Sequence, residues 1–359
     1  MSSVWNNRIS ISMFGEAHGP AIGVTVDNLP AGEYIDSEAL GAFMARRYTG
    51  GSSSSVNSIP HIMSGVFNDR TTGSPLCAFL QNTETTAPQH EELDNLVRPG
   101  HADYTGTVRY KGFNDVRGGG HLSDRLTAPL CFAGAVCAQI LERRGIYTGA
   151  HILQIHNIKD NPFDPVNITR DGVLSVRAKK FPVINDRKGW DMIEDINKAH
   201  DGGESLGGII ECAAVNVPAG IGSPVFDGLE NNIAQLVFGI PGVRGIEFGA
   251  GFTSAKMVGS QNNDEFYVND HGHVLTKTNN HGGIIGGISS GMPITLRVAM
   301  KPSEYTAGAQ TAVNYRDMTS ETVESEQHIP CTVPAAVPCV EAAVNIALLS
   351  HMLDYPNFC

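Results

Sequence analysis

Two segments of the sequence combine arginine, histidine and glycine densely enough to favour binding of an anion. Residues 98–105 read R-P-G-H-A-D-Y-T, and residues 117–127 read R-G-G-G-H-L-S-D-R-L-T. Glycines let backbone N–H groups approach a ligand closely, and guanidinium groups bind phosphate or carboxylate through paired hydrogen bonds. An apolar run follows, in which Pro129 fits only the first turn of a helix. We therefore predict a buried helix with Thr127 as its N-cap and an anion site ahead of it; a tight turn with solvated charges is the alternative.

Three other segments carry candidate residues. Residues 14–20 read F-G-E-A-H-G-P, and a histidine in such a turn, here His18, can act as a general acid or base or simply bond the backbone. Arg46 and Arg47 end a helical segment, where the helix dipole favours cations in any case. Residues 282–293 contain two glycine pairs that suit a phosphate, a flat cofactor or close packing of strands.

The composition describes an acidic globular protein. The 359 residues are 41% hydrophobic and 17% charged, and the formal net charge is −12. This charge argues against nucleic acid and anionic membranes as partners, whereas a small anionic substrate suits the local basic clusters. No apolar stretch is expected to reach the length of a membrane span, and the N-terminal residues lack the order of a signal peptide, so we predict a cytoplasmic protein. The seven cysteines form no C-x-x-C pair, which predicts reduced core thiols and no metal site.

The hydrophobic pattern predicts an α+β layered fold. Alternation predicts strands over 8–14, 21–26, 61–67, 209–217 and 293–300. Helical periodicity covers 37–47, 190–199, 231–238 and 338–353, the last with Pro338 at its first helical position. The elements do not alternate regularly as in a doubly wound sheet. Residues 21–32 and 209–220 both end in N-[LV]-P-A-G, which indicates two related halves or a chance likeness of two turns.

Taken in order along the chain, these motifs resemble those of the chorismate synthase family. The matching segments are G-E-x-H-G at 15–19, R-P-G-H-A-D-Y-T with the glycine-rich loop at 98–127, and G-G-I-S-x-G-M-P at 286–293. The resemblance implies conversion of 5-enolpyruvylshikimate 3-phosphate to chorismate and phosphate by a 1,4-anti elimination that requires reduced FMN. It also implies a single domain over 1–359, a β-α-β sandwich of largely antiparallel sheets around central helices, and a homotetramer.

The resemblance further implies roles for individual residues. His18 resembles the histidine that protonates or binds the departing phosphate, and His101 resembles the one that assists the reduced flavin. The implied substrate contacts are Arg46, Arg47, Arg98, Ser123 and Arg125. The implied cofactor contacts are His121, Leu122, Ser123, Gly286, Lys301, Pro302, Ser303 and Gln327. The electrons for the flavin would come from NADPH or from a separate flavin reductase.

The sequence departs from the family pattern near its C-terminal end. The family's R-H-D-P-C motif reads Q-H-I-P-C at 327–331. Gln327 thus replaces an arginine, and Ile329 replaces a proton-accepting aspartate. A further arginine of the family pattern is replaced by Ala335. Each lost charge-assisted contact costs about 1.5–3 kcal/mol of binding. Either His121 or His328 compensates, or the chain is a non-catalytic paralogue that binds a flavin or another anion. Another phosphate lyase or flavoenzyme on the same scaffold is a third reading.

Overall fold

The structure, a computed structural model, describes residues 3–48, 59–83, 96–324 and 328–355. The strands within these residues are β1 (Val4–Asn6), β2 (Ser10–Gly15), β3 (Ala21–Asp27), β4 (His61–Ser64), β5 (Val66–Phe67), β6 (Arg70–Thr71), β7 (Leu76–Gln81), β8 (Leu96–Val97), β9 (Tyr147–Ile155), β10 (Ile158–Lys159), β11 (Gly208–Val215), β12 (Val243–Phe248), β13 (Phe266–Val268), β14 (Val274–Thr276), β15 (Ile284–Ile285), β16 (Ile288–Ser289), β17 (Ile294–Met300), β18 (Gln310–Asn314) and β19 (Thr319–Val323). The helices are α1 (Ser37–Ala45), α2 (Asp103–Tyr110), α3 (Thr127–Glu142), α4 (Arg170–Arg177), α5 (Asp186–Asp201), α6 (Leu229–Val237), α7 (Gly259–Asn262) and α8 (Val333–Met352).

Two five-stranded antiparallel sheets form the outer layers. The first has the order β1-β2-β3-β7-β4, and the second has the order β10-β9-β11-β17-β12. Helix α3 packs on β3 and β7 of the first sheet, while α8 packs on β9 and β11 of the second. The two helices also pack on each other, so the predicted α+β fold, a β-α-β sandwich around central helices, is confirmed.

Helices α3 and α8 are buried because they are apolar on every side. They approach most closely at Gly134, where an added Cβ would collide with the Cβ and Cα of Ala342. A glycine at this crossing lets the helix backbones come together. One hydrophobic cluster contains residues of both sheets and both helices; the single domain over 1–359 remains a prediction.

The repeated turn noted in the sequence has the same backbone form at both sites. Asn28 and Asn216 have φ values of 65° and 62°, and Gly32 and Gly220 have φ values of 85° and 99°. The strands that precede these turns, β3 and β11, are each the middle strand of a five-stranded sheet. The two turns thus follow strands in corresponding positions of the two sheets, and the relation between two halves of the chain stays a prediction.

Two expectations about the last helix are wrong. Helix α8 begins at Val333 rather than at Pro338, because Pro334 already occupies the first turn, where its missing N–H needs no partner. Helix α8 is also long and apolar enough to cross a membrane, although no apolar stretch of that length is expected from the sequence. The share of its apolar window buried inside the protein is 94%, so its composition follows from its central position between the sheets.

Candidate active site

A cavity of about 630 Å³ lies where the glycine-rich loop, the first turns of α3 and α8, and the segments 238–244 and 300–305 meet. This volume suits a small molecule or a cofactor. The predicted site residues on its wall are Arg47, His101, His121, Leu122, Ser123, Lys301, Pro302 and Ser303. The predicted residues that are not on the wall are His18, Arg46, Arg98, Arg125 and Gly286. Gln327 lies outside the described residues.

His101 is oriented by a carboxylate two residues further on. Its Nδ1 lies in close contact with Asp103, whose carboxylate sits at the first position of α2, where the helix dipole favours a negative charge. A carboxylate only accepts hydrogen bonds, so Nδ1 carries a proton, while Nε2 lies against Gly119 of the glycine-rich loop. Burial opposes the charge of Asp103, but hydrogen bonds from Arg98 and His101 outweigh it and hold the pKa of that carboxyl far below its usual range.

Arg98 supports this pair and does not itself reach the cavity wall. Its Nε and Nη2 donate to the two carboxylate oxygens of Asp103 at 2.7 and 2.9 Å, and its Nη1 donates to the Tyr305 hydroxyl at 3.0 Å. Burial of the guanidinium works against its charge, but these partners raise its pKa overall. The predicted substrate contact thus occupies its donors inside the protein, where it fixes Asp103 and thereby His101.

The two candidate catalytic histidines pack against two adjacent glycines. A Cβ added to Gly118 would lie 2.7 Å from Cδ2 and Nε2 of His18, and one added to Gly119 would lie 2.8 Å from Cε1 and Nε2 of His101. Both glycines have positive φ, 57° and 84°. Because Gly118 is part of the wall, His18 sits directly behind the cavity surface. The R-G-G-G-H motif therefore provides room for both imidazole rings.

His121 fastens the same loop to the first sheet. Its Nδ1 donates to the Gly15 carbonyl at 2.7 Å, which leaves Nε2 to accept from the Ser3 hydroxyl, a very close partner. On the other side of the loop, Arg125 donates to the Ala17 carbonyl at 2.6 Å. The G-E-x-H-G segment is thus held from both sides by residues of the glycine-rich motif.

Arg47 is the predicted arginine that the structure places on the wall. It is 7% exposed, its Nε donates to the Thr127 hydroxyl at 2.6 Å, and its Nη2 donates to the Asp124 carbonyl at 2.9 Å. Thr127 was expected to cap α3, but its hydroxyl instead donates to Asp124 while Leu126 takes the N-cap position. The Arg47 guanidinium is therefore a buried cation on the cavity wall, held at the start of α3.

The opposite rim carries the predicted cofactor residues 301–303. Lys301 pairs closely with Glu304, and Ser303 accepts from the Tyr305 N–H at 3.2 Å. Gly286, in contrast, lies in the β15–β16 hairpin, away from this wall. The two predicted parts of the cofactor site are thus separated within one chain.

One side of the cavity is apolar. Leu130, Ile329, Ala335 and Ala336 all line the cavity, so Ile329 and Ala335, which replace the aspartate and the arginine of the motif that the chain resembles, leave the wall uncharged there. His328 does not compensate, because it is off the wall and its Nε2 bonds the Glu204 carbonyl at 2.8 Å. His121 is on the wall, but both of its ring nitrogens are engaged.

Several wall residues were not identified from the sequence. They include Tyr110, Asp124, Arg244, Glu304, Tyr305 and the loop 238–242. The loop reads F-G-I-P-G and is followed by V-R-G. Glycine and proline beside an arginine also occur in the segment 98–105, for which we predict an anion site. The same pattern in the sequence therefore indicates Arg244 as a candidate.

Comparison with known proteins shows the family of the chain. The family model for chorismate synthase matches residues 9–353. Proteins named chorismate synthase from Thermococcus kodakarensis and Korarchaeum cryptofilum are each 39% identical, over 96% and 98% of this chain and 96% and 97% of theirs. The chain belongs to the chorismate synthase family. A crystal structure of chorismate synthase covers 98% of this chain and 94% of its own, with a TM-score of 0.78 and 28% identity.

Membership of the chorismate synthase family makes the chain a phosphate lyase. A relative of that name from Lancefieldella parvula is 38% identical over 99% of this chain and 98% of its own, so the similarity covers both sheets and the central helices. Nothing in these comparisons favours the non-catalytic reading that the altered C-terminal motif suggested.

Proposed function

We propose that this chain converts 5-enolpyruvylshikimate 3-phosphate to chorismate and inorganic phosphate, with reduced FMN in the same cavity. The observation that carries the proposal is the pair of histidines packed on Gly118 and Gly119 beside a cavity that also holds Arg47. A departing phosphate requires a cation or a proton, a substrate carboxylate requires a cation, and these groups supply them.

The residues that line the cavity are of the types that would bind a flavin. An apolar side, which includes Leu130 and Ile329, suits a flat ring, and the rim at 301–303 offers Lys301 and Ser303 to a phosphate. These residues, with His121, Leu122 and Ser123, would hold reduced FMN; Gly286 and Gln327 are further proposed contacts. When bound, the reduced flavin supplies electron density to the elimination.

The protein's own groups bind the substrate and move the proton. Arg47 neutralises an anionic group of the substrate at the buried end of the cavity. His101 keeps one proton on Nδ1 through Asp103 and offers Nε2 to the reacting molecules. His18 supplies the charge or the proton that the leaving phosphate needs, and Ser123 and Arg125 complete the substrate side.

The direct test is an anaerobic assay with purified protein, photoreduced FMN and 5-enolpyruvylshikimate 3-phosphate. Chorismate absorbance and released phosphate are followed together, and equal amounts of both are expected. Oxidised FMN in place of reduced FMN is the matched control and should give neither product. Flavin binding without either product would contradict the proposed activity.

The source of electrons is tested separately. NADPH is added anaerobically to enzyme and oxidised FMN, and flavin absorbance is followed. Bleaching assigns the reductase activity to this chain, whereas unchanged absorbance assigns it to a separate flavin reductase. Both are proposed sources.

We further propose that the protein is a cytoplasmic homotetramer with a small anionic substrate. Gly286 lies off the wall, and large apolar side chains such as Phe226 and Phe252 are 92% and 83% exposed, which supports contact between copies. Native mass spectrometry should give four times the monomer mass. A monomer at working concentration would contradict the assembly.

A further inference from the structure

Two buried cysteines meet at the edge of the cavity. The Sγ atoms of Cys131 on α3 and Cys339 on α8 are 3.6 Å apart. Each residue lies three positions before the close crossing of Gly134 and Ala342, so the two helix backbones are already near one another at this level. Two short side chains with neighbouring sulfur atoms on such closely packed helices suit a disulfide, which requires a small backbone separation.

The two thiols differ in their access to the cavity. Cys339 is part of the wall although only 1% of its surface is exposed, whereas Cys131 is fully buried and off the wall. Helix α8 presents Thr332, Ala335, Ala336 and Cys339 to the cavity on one helical face. A small solute in the cavity therefore reaches Cys339 before Cys131.

Their electrostatic surroundings also differ. A hydrogen bond from the Cys131 thiol lowers the pKa of Cys339, and the positive charge of Arg47 acts in the same direction. The same hydrogen bond together with burial raises the pKa of Cys131. A thiolate is the reactive form of cysteine, so the thiol on the wall is the more reactive of the two.

We propose that Cys339 and Cys131 form a redox-active pair, in which Cys339 is oxidised by a peroxide and Cys131 resolves the product. The Cys339 thiolate attacks one oxygen of hydrogen peroxide, the O–O bond breaks, and the hydroxide released takes up a proton to give water. The Cys131 thiol then attacks the sulfenic sulfur, loses its proton, and expels a second water. Two thiols and one peroxide thus yield one disulfide and two waters.

The oxidant is a hydroperoxide small enough to enter the cavity. Reduced flavins form hydrogen peroxide with dioxygen, so the FMN of the proposed function would be one local source. The thiol pair does not need that source, because peroxide from solution gives the same reaction. Its failure is therefore distinguishable from a failure of the proposed function.

The test uses the reduced full-length protein, without flavin, exposed to hydrogen peroxide. Remaining thiols are alkylated with N-ethylmaleimide in denaturant, and peptides are mapped by mass spectrometry before and after dithiothreitol. The expected result is a peptide pair linked through Cys131 and Cys339 that dithiothreitol separates. If Cys77 or Cys331 is oxidised while both residues of the pair remain fully alkylated, the proposal is overturned.

Serine variants test the direction of the reaction. With Cys131→Ser, dimedone should trap a sulfenic acid at Cys339 about tenfold faster than it traps one at Cys131 in Cys339→Ser. Cys137→Ser, also in α3 and fully buried, is the matched control and should retain the linked peptide. Equal trapping in the first two variants would contradict the order of attack. The wild-type peptide map decides the pairing even where a variant fails to fold.

Discussion

Arg46 and Arg47 leave the same turn of the chain, but their guanidinium groups lie in different environments. Arg46 donates to both carboxylate oxygens of the fully buried Glu341 at 2.6 Å, and that carboxylate also accepts from the Ala150 N–H. Arg47 instead lies on the cavity wall beside Thr127. Arg46 thus links the end of α1 to the central helix α8, and Arg47 lies on the wall of the cavity.

Replacement of Arg47 should weaken substrate binding. In Arg47→Met, the loss of a charge-assisted contact is expected to cost about 1.5–3 kcal/mol of binding free energy. Isothermal titration with 5-enolpyruvylshikimate 3-phosphate measures the change. Unchanged affinity would contradict a role for Arg47 at the substrate.

Replacement of Arg46 should act on stability. Arg46→Met leaves the Glu341 carboxylate buried without this partner, which is expected to cost about 3–5 kcal/mol in the free energy of unfolding. Urea denaturation measures the loss, and the double variant Arg46→Met with Glu341→Leu should lose less than the sum of the single variants. If Arg46→Met instead has wild-type stability and has lost substrate affinity, Arg46 is a substrate contact and the stability argument is contradicted.

His101 should contribute to the chemical step more than to binding. We expect His101→Ala to lower kcat by about 10²–10⁴-fold with a much smaller change in KM. Asp103→Asn keeps the shape of the carboxylate but removes its charge, and should give a smaller loss of kcat. Steady-state assays separate the two parameters. Equal losses in binding and turnover would contradict this role for His101.

Gly119 should be required for the position of His101. An alanine Cβ there would lie 2.8 Å from the imidazole ring, whereas at Gly112, where φ is also positive, a Cβ would meet no atom within 4 Å. Both substitutions carry backbone strain of about 1–2 kcal/mol, but only Gly119→Ala displaces the ring. A comparison of kcat and Tm should show similar stability losses and an activity loss confined to Gly119→Ala. Similar activity in both variants would contradict the packing argument.

His151 should make stability depend on pH. This residue is fully buried between Glu211, 2.9 Å from Nε2, and Asp160, 3.4 Å from Nδ1. Burial opposes its charge, but the ion pair with Asp160 and the hydrogen bond to Glu211 outweigh burial and raise its pKa. A raised pKa in the folded state adds stability below the unfolded value of about 6.5, and this gain is lost as pH rises through the folded value.

The variant His151→Gln tests this sign. Its loss of Tm relative to the wild type should be larger at pH 6 than at pH 9. His156→Gln is the control, because His156 forms an ion pair with Asp195 at the surface and its side chain is 52% exposed. A loss that grows with pH would contradict the assignment.

The sequence by itself determined the fold class, several of the elements and the family. Alternation and helical periodicity are local properties, so strands such as β3 and β11 and the fully apolar α3 could be predicted from short windows. The glycines next to His18 and His101 in the sequence are likewise a local signal, because a tight loop requires glycines at fixed spacing. The motifs in order were sufficient to indicate the family.

Only the tertiary structure decided which charged groups meet. Arg46 pairs with a residue 295 positions away, and nothing in the local pattern distinguishes it from Arg47. The same holds for the bond of Arg98 to Tyr305, and for the thiols on α3 and α8, which meet because Gly134 admits Ala342. Such partners are fixed by the packing of elements distant in sequence, and packing leaves no periodic signal in the chain.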